Sequence, residues 1–303
     1  MSFARLLLPL DFSDRSPEAL RLAGILSERF GSEVIPLYVL SPLPAIDPVL
    51  SLPFELYGPT VAPPDEGRRR EEALAYLRSY LEEHDRSAWA GGAQVREGSP
   101  AVEIVRAARE LTCDLILLGT HGRSGLARWL LGSTTERVVR TSSVPVWVFR
   151  GDPERPIRHI LLPTDFSELA AEAYPLAIAV ARAFEATITL FYVAEYVPLS
   201  DNQLLERMRK EYQGRLERER MTRFTEEDRR FIADAYLQFN LGSSTAGIVD
   251  FAARKQIDLI IMSTHGYSGL KHILLGSTTE YVVRHAPCAV LTIRPKSMHL
   301  EEK

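Results

Sequence analysis

Cysteine is nearly missing from this chain: there are two in 303 residues, Cys113 and Cys288, with no C-x-x-C pair and no histidine pair at zinc-ligand spacing. That excludes the disulfide framework of a small secreted domain and suits a reducing cytoplasm. Aligning the two halves of the chain sets Cys113 opposite Ile257 and Cys288 opposite Val146, so both thiols read as small core residues. Excess basic charge is missing too. A formal net charge of -4 and a pI of about 6.0 give no electrostatic footing for nucleic acid. Long apolar runs are scarce: Leu6 to Leu10 is too short for the core of a secretory signal. The apolar stretch Leu176 to Val197 is broken by Arg182 and Glu185 and turns β-rich at Thr187, which predicts a helix followed by a strand and no membrane span. Two catalytic signatures are also wanting, a Walker lysine after a glycine loop and a Gly-x-Ser-x-Gly elbow.

What the chain does have is repetition. Leu115-Ile116-Leu117-Leu118 runs into GTHGRSGLARWLLGS, Gly119 to Ser133, and then into the helical-looking Thr134 to Val139. The phrase returns as STHGYSGLKHILLGSTTEYVVR from Ser263 to Arg284, 144 residues on (Gly122 to Gly266), a spacing that fits a duplicated domain rather than a solenoid. Each copy opens on a short apolar strand ending in an acid, Arg5 to Asp11 and His159 to Asp165. Such continuous apolar runs suit strands buried on both faces of a parallel sheet. Helices with apolar stripes follow (19, 22, 23, 26, 30 and 173, 176, 177, 180, 184), with Ser16 before Pro17 as a plausible start. Second strands are predicted at Val34–Val39 and Thr187–Val193, with an irregularity at Pro36, which has no N–H to give a ladder.

The copies then diverge. Pro42 to Pro64 reads as a long loop before a charged helix from about Gly67 to Arg86, whereas Leu204 to Phe231 reads as a solvated helix or helix pair whose acids balance its bases. Register recovers at the strands Ala93–Glu97 and Ala235–Leu241, and each half closes on a strand, Val144–Phe149 and Cys288–Ile293. Alternating strands and helices predict two open, five-stranded, mostly parallel α/β sheets flanked by helices, over 1–151 and 155–303, with ligands at the carboxyl ends of the strands.

The chemistry follows from that placement. Glycines at 119, 122 and 132 let the backbone turn tightly, and the helix opening at Ser133-Thr134-Thr135 offers N–H groups and a positive dipole end to a phosphate. Asp11 and Asp165 would repel phosphate but accept hydrogen bonds from ribose or adenine, so they belong at the nucleoside end; the bland alternative is a helix-capping acid. His121 and His265 fit loop packing or a phosphate hydrogen bond better than a triad with Ser13.

The pattern of glycine, two residues, glycine, nine residues, glycine and serine resembles the ATP-binding motif of the universal stress protein family, and the resemblance covers nearly the whole chain as a tandem pair. It implies a Rossmann-like, adenine nucleotide alpha hydrolase-like fold in each half. It also implies an internal pseudo-dimer in which the fifth strands pair. Carried over residue by residue, it places adenosine at Pro9, Asp11 and Val39, flanked by Leu10, and phosphates at Gly119, Gly122, Gly132, Ser133 and Thr134, flanked by Leu118, Arg123 and Thr135. In the second copy the matching positions are Pro163, Asp165, Val193, Ser263, Gly266, Gly276, Ser277 and Thr278, flanked by Thr164 and Met262. Ser263 replaces the first glycine, and Arg123 and Arg128 become Tyr267 and His272, although Lys271 stands where Ala127 stood; these departures predict a weaker second site. The implied function is ATP binding, with or without Mg²⁺, in a regulatory or stress-resistance module with a protein partner or a second copy. The rivals are a slow ATPase or adenylate-transferring enzyme and a nucleotide-free dimerisation module. Adenylating relatives often carry Ser-Gly-Gly after the first strand, where this chain has Asp11-Phe12-Ser13-Asp14.

Overall fold

The computed structural model describes residues 3–41, 66–120, 131–195, 202–240, 244–266 and 275–295. The expected loop Pro42 to Pro64 lies outside them. The first half runs β1 (Arg5–Leu10), α1 (Ser16–Phe30), β2 (Glu33–Leu40), α2 (Glu66–Glu83), a short 3-10 turn (Ser87–Gly92), β3 (Gln94–Glu97), α3 (Pro100–Glu110), β4 (Leu115–Gly119), α4 (Ser133–Thr141) and β5 (Val146–Phe149). The second half runs β6 (His159–Pro163), α5 (Glu168–Ala171), α6 (Tyr174–Phe184), β7 (Thr187–Glu195), α7 (Asn202–Arg223), α8 (Glu226–Arg229), β8 (Ile232–Asn240), α9 (Ser244–Arg254), β9 (Leu259–Ser263), α10 (Ser277–His285) and β10 (Ala289–Ile293). Helix then strand is what the Leu176 to Val197 stretch becomes, and among the described residues no helix is long and apolar enough to cross a membrane.

All ten strands form one sheet in the order β3-β2-β1-β4-β5-β10-β9-β6-β7-β8. Every pairing is parallel except β5 with β10, where Trp147 faces Leu291 antiparallel across the junction of the halves. The fifth strands thus pair, and two α/β units share one continuous sheet. Successive side chains of a strand point to opposite faces. Leu6 and Leu8 therefore join the core beneath α1, α2 and α6, while Leu7 joins the core beneath α3, α4, α9 and α10. The same alternation divides Leu115 and Leu117 from Ile116 and Leu118. Two acids start the first strands: Asp114 accepts the Arg5 N–H at 3.0 Å, and Asp258 accepts those of Arg158 (2.9 Å) and His159 (3.0 Å).

Two expectations are corrected. Pro36 sits in unbroken register, opposite Leu8. The Glu33 N–H goes to Ala4 of the β1 side at 2.8 Å, so alternation points the Pro36 nitrogen the other way, and β3 begins to pair only at Leu37. No ladder bond is missing; the irregularity falls instead between Ile188 and Thr189, opposite β8. α1 starts at Ser16, as expected; Arg15 precedes it and the Ser16 hydroxyl goes to Asp11. The strand expected at Ala235–Leu241 begins three residues earlier, at Ile232, after the one-turn helix α8 capped by Thr225.

Both cysteines are buried. Desolvation pushes the Cys113 thiol up to about 11 and the Cys288 thiol up to about 12, which fits packing rather than redox chemistry.

Candidate nucleotide crevice

Chain order reverses direction between β1 and β4, and again between β6 and β9. A crevice opens at such a point because the connections leave on opposite sides of the sheet. In the first half it is a cavity of about 490 Å³. Pro9, Leu10 and Asp11 come to it from the end of β1, Val39 from β2, Leu118 and Gly119 from β4, and Gly132, Ser133, Thr134 and Thr135 from the start of α4. Ten of the twelve positions expected in the first copy are thereby brought together; Gly122 and Arg123 lie outside the described residues.

Asp11 Oδ1 accepts the Ser13 N–H at 3.1 Å and the Ser16 hydroxyl at 3.2 Å, which makes a turn of the Asx type rather than a helix cap. Phe12, the next residue, has φ 57, a conformation that costs a non-glycine residue about 1–3 kcal/mol. Aromatic contacts offset it: the Phe12 ring lies 4.7 Å from Tyr38, 4.7 Å from Tyr76 and 5.0 Å from Tyr80, centre to centre. Phe166 repeats the turn in the second half at φ 64, packed on Tyr192 and under the Arg215 guanidinium. Burial pushes the Tyr80 hydroxyl upward in pKa; its hydrogen bond with Ser16 opposes this, and the Asp11 charge adds to it.

At the other end the glycine matters for closeness rather than for φ. Gly132 has φ -63 and donates to Thr120 O at 2.7 Å, and a methyl placed on it would stand 3.3 Å from that oxygen. Thr135 Oγ1 donates to Gly119 O at 2.8 Å, so this hydroxyl anchors α4 to β4. The first bond of the α4 ladder runs from Glu136 N to Gly132 O, which leaves the N–H groups of Ser133, Thr134 and Thr135 at the helix's positive end, facing the crevice. Gly119 is not among the positive-φ glycines, which explains how Ser263 stands in its place.

Arg15, paired with Glu18 at 2.7 Å, and Arg69, paired with Glu97 at 3.1 Å, also line the crevice, as does Phe149. Sequence reasoning missed all three. Arg15 has Leu169 as its counterpart in the second copy (Asp11 to Asp165 sets the shift), so comparing the repeats suppresses it.

In the second half Pro163, Thr164 and Asp165 end β6, Val193 lies on β7, Met262 and Ser263 end β9, and Gly276, Ser277 and Thr278 start α10. The same anchors recur, from Gly276 N to Thr264 O at 2.8 Å and from Thr279 Oγ1 to Ser263 O at 2.8 Å. Its interior differs. The Tyr174 hydroxyl bridges Thr164 Oγ1 (2.7 Å) and Glu219 Oε1 (2.9 Å), where the first half has Leu10 and Leu20. Burial pushes the Tyr174 hydroxyl far upward in pKa.

Comparison with known proteins agrees with the two-unit fold. The sequence profile of the Universal stress protein family matches residues 2–150 and again 156–294. A universal stress protein of Methanocaldococcus jannaschii is 33% identical over 143 residues, 45% of this chain and 82% of its own. Among solved structures, a universal stress protein from Archaeoglobus fulgidus aligns over 97% of this chain and 99% of its own with a TM-score of 0.62 at 22% identity. A functionally unknown protein from Pseudomonas aeruginosa aligns over 99% and 96% with a TM-score of 0.67 at 18% identity. At those identities the two structures speak for the fold, and the repeated profile match speaks for descent: this chain belongs to the universal stress protein family, with two of its domains in tandem.

Proposed function

We propose that this protein is a cytoplasmic ATP-binding regulatory module, dividing at 1–151 and 155–303, in which nucleotide occupancy of the first crevice sets the position of α4 and thereby the binding of a protein partner or a second copy. The observation that carries this reading is the polarity of the crevice. A carboxylate, Asp11, at the end of β1 and the start of α4 at Ser133 and Thr134 line one cavity of about 490 Å³, which supplies an acceptor for ribose and amide donors for phosphate. Arg15, held by Glu18 at 2.7 Å, stands on the α1 side. Mg²⁺, in this reading, would come in with the nucleotide: among the described residues no group of three His, Cys, Asp or Glu could hold it. Binding shifts a population only through differential affinity for two positions of α4, so the effect of ATP on partner binding is reciprocal.

Denaturing the freshly purified protein and chromatographing the supernatant tests this directly. ATP released in proportion to chain supports a binding module, and ADP accumulating on incubation points to hydrolysis. No released nucleotide together with no calorimetric heat on adding ATP would refute the reading in favour of a structural pairing module.

A further inference from the structure

The first crevice continues past Asp11 to the far side of β1. Its strands stand in the order β2-β1-β4, so Val39, Leu40 and Ser41 of β2, Asp11 of β1, and Leu118 and Gly119 of β4 are set out in a row. α4 begins at the β4 end of that row, tied to Gly119 O by Thr135. Neighbouring strands lie about 4.8 Å apart, which puts the end of β2 about 10 Å from the end of β4. A nucleotide with its phosphates on the amides of Ser133 and Thr134 and its ribose at Asp11 has to lay its base across the end of β2.

The residues there suit a flat ring. Val39, Leu40, Pro100 and Ile104 give the cavity apolar walls, and Arg69, from the first turn of α2, joins them. Arg69 Nη1 lies 3.1 Å from Glu97 Oε1, and Glu97 is the β3 partner of Leu40, so this guanidinium is fixed beside the end of β2. Its side chain is only 18% exposed. A phosphate would have to compete with the Glu97 carboxylate for its charge. A base would not, because a carboxylate takes the edge of a guanidinium and leaves its faces to stack on a ring.

We infer that Arg69, held by Glu97, is the residue against which the base of the bound nucleotide stacks, and that it makes the crevice select a purine over a pyrimidine. Two fused rings cover more of the guanidinium face and of the apolar walls than one ring does. The inference rests on the first crevice being a nucleotide site, and its test separates the two.

The full chain is titrated calorimetrically with AMP, ATP and UTP. The parent is expected to favour ATP over UTP by at least about fivefold. Arg69→Lys keeps a cation beside Glu97 but loses the plane; it is expected to weaken AMP and ATP by the same factor, at least about fivefold, and to bring ATP and UTP within about twofold of each other. Glu97→Gln keeps an acceptor for Nη1 and should stay within about twofold of the parent. An equal loss in Glu97→Gln would mean that binding depends on the ion pair between α2 and β3 rather than on the guanidinium face, and would overturn the inference. Parent-like binding by Arg69→Lys would overturn it too, as would a loss larger for ATP than for AMP, which would make Arg69 a phosphate ligand. Equal affinity of the parent for ATP and UTP would overturn the inference and leave the nucleotide reading standing. No binding of any of the three would overturn that reading, and the inference with it.

Discussion

Gly132→Ala separates stability from binding, and the geometry says in which direction. The backbone there, φ -63 and ψ 140, is open to alanine without strain, and shortening the unfolded ensemble favours the variant by about 0.4–1 kcal/mol. Against that, the methyl meets Thr120 O at 3.3 Å, so the 2.7 Å bond from Gly132 N must lengthen, a loss of about 0.5–1.5 kcal/mol at most. The two nearly cancel, and the melting temperature should stay within about 4 °C of the parent. Binding has no such compensation. Any outward shift is carried into Ser133 and Thr134, whose amides begin α4, and losing one hydrogen bond to a charged oxygen costs about 1.5–3 kcal/mol. ATP affinity should therefore fall about tenfold to a hundredfold in calorimetry. Gly276→Ala is the stability control, since its methyl stands 3.0 Å from Thr264 O; it should melt lower than Gly132→Ala and keep the first crevice's affinity for ATP. Parent-like affinity in Gly132→Ala, or a reversal of the two melting temperatures, would refute the argument.

Two further outcomes follow from buried groups. Tyr174→Phe takes a hydrogen bond from the Glu219 carboxylate, 9% exposed and otherwise 3.8 Å from Arg223, and a partner from Thr164, so urea denaturation should show a loss of about 1–3 kcal/mol; a parent-like midpoint would mean that the bridge contributes nothing. The cysteine thiols are raised to about 11 and about 12 in the folded chain against about 8.5 when unfolded, so the unfolded state gives up its protons first. Their contribution is whole below about pH 8.5 and is lost as pH rises towards those values, so denaturation midpoints should fall over that window, less steeply in a Cys113→Ala, Cys288→Ala double variant.

What the two copies share was legible before any coordinates. Asp11-Phe12-Ser13 and Asp165-Phe166-Ser167 mark the same turn twice, and Gly132 and Gly276 the same close approach. What only one copy has was not: Arg15 faces Leu169, and Tyr174 replaces Leu20, so the repeat offers no second instance to flag either. Direction was equally hidden. Proline at position 36 announces a missing N–H, but only the pairing of Glu33 with the β1 side tells that the gap faces a stretch β3 does not reach. Ser16 before Pro17 marks where α1 starts, but sequence cannot show that the Ser16 hydroxyl goes to Asp11.

The duplication itself has a mechanical consequence. α4 begins at the first crevice and α10 at the second, and they meet through four charges: Glu136 lies 3.0 Å from Arg140 and 3.1 Å from Arg284, and Glu280 lies 3.5 Å from Arg284 and 3.9 Å from Arg140. Each half-exposed pair is worth less than about 1 kcal/mol, but the four are linked across the junction made by β5 and β10. Arg150 joins them from β5, donating to Val283 O and Arg284 O near the end of α10, where a cation meets the negative end of the helix dipole. In two separate chains this junction would dissolve on dilution; on one chain it is intramolecular and holds at any concentration. The second half, tied to α4 through Arg284 and Glu280, is then a support that no dilution removes.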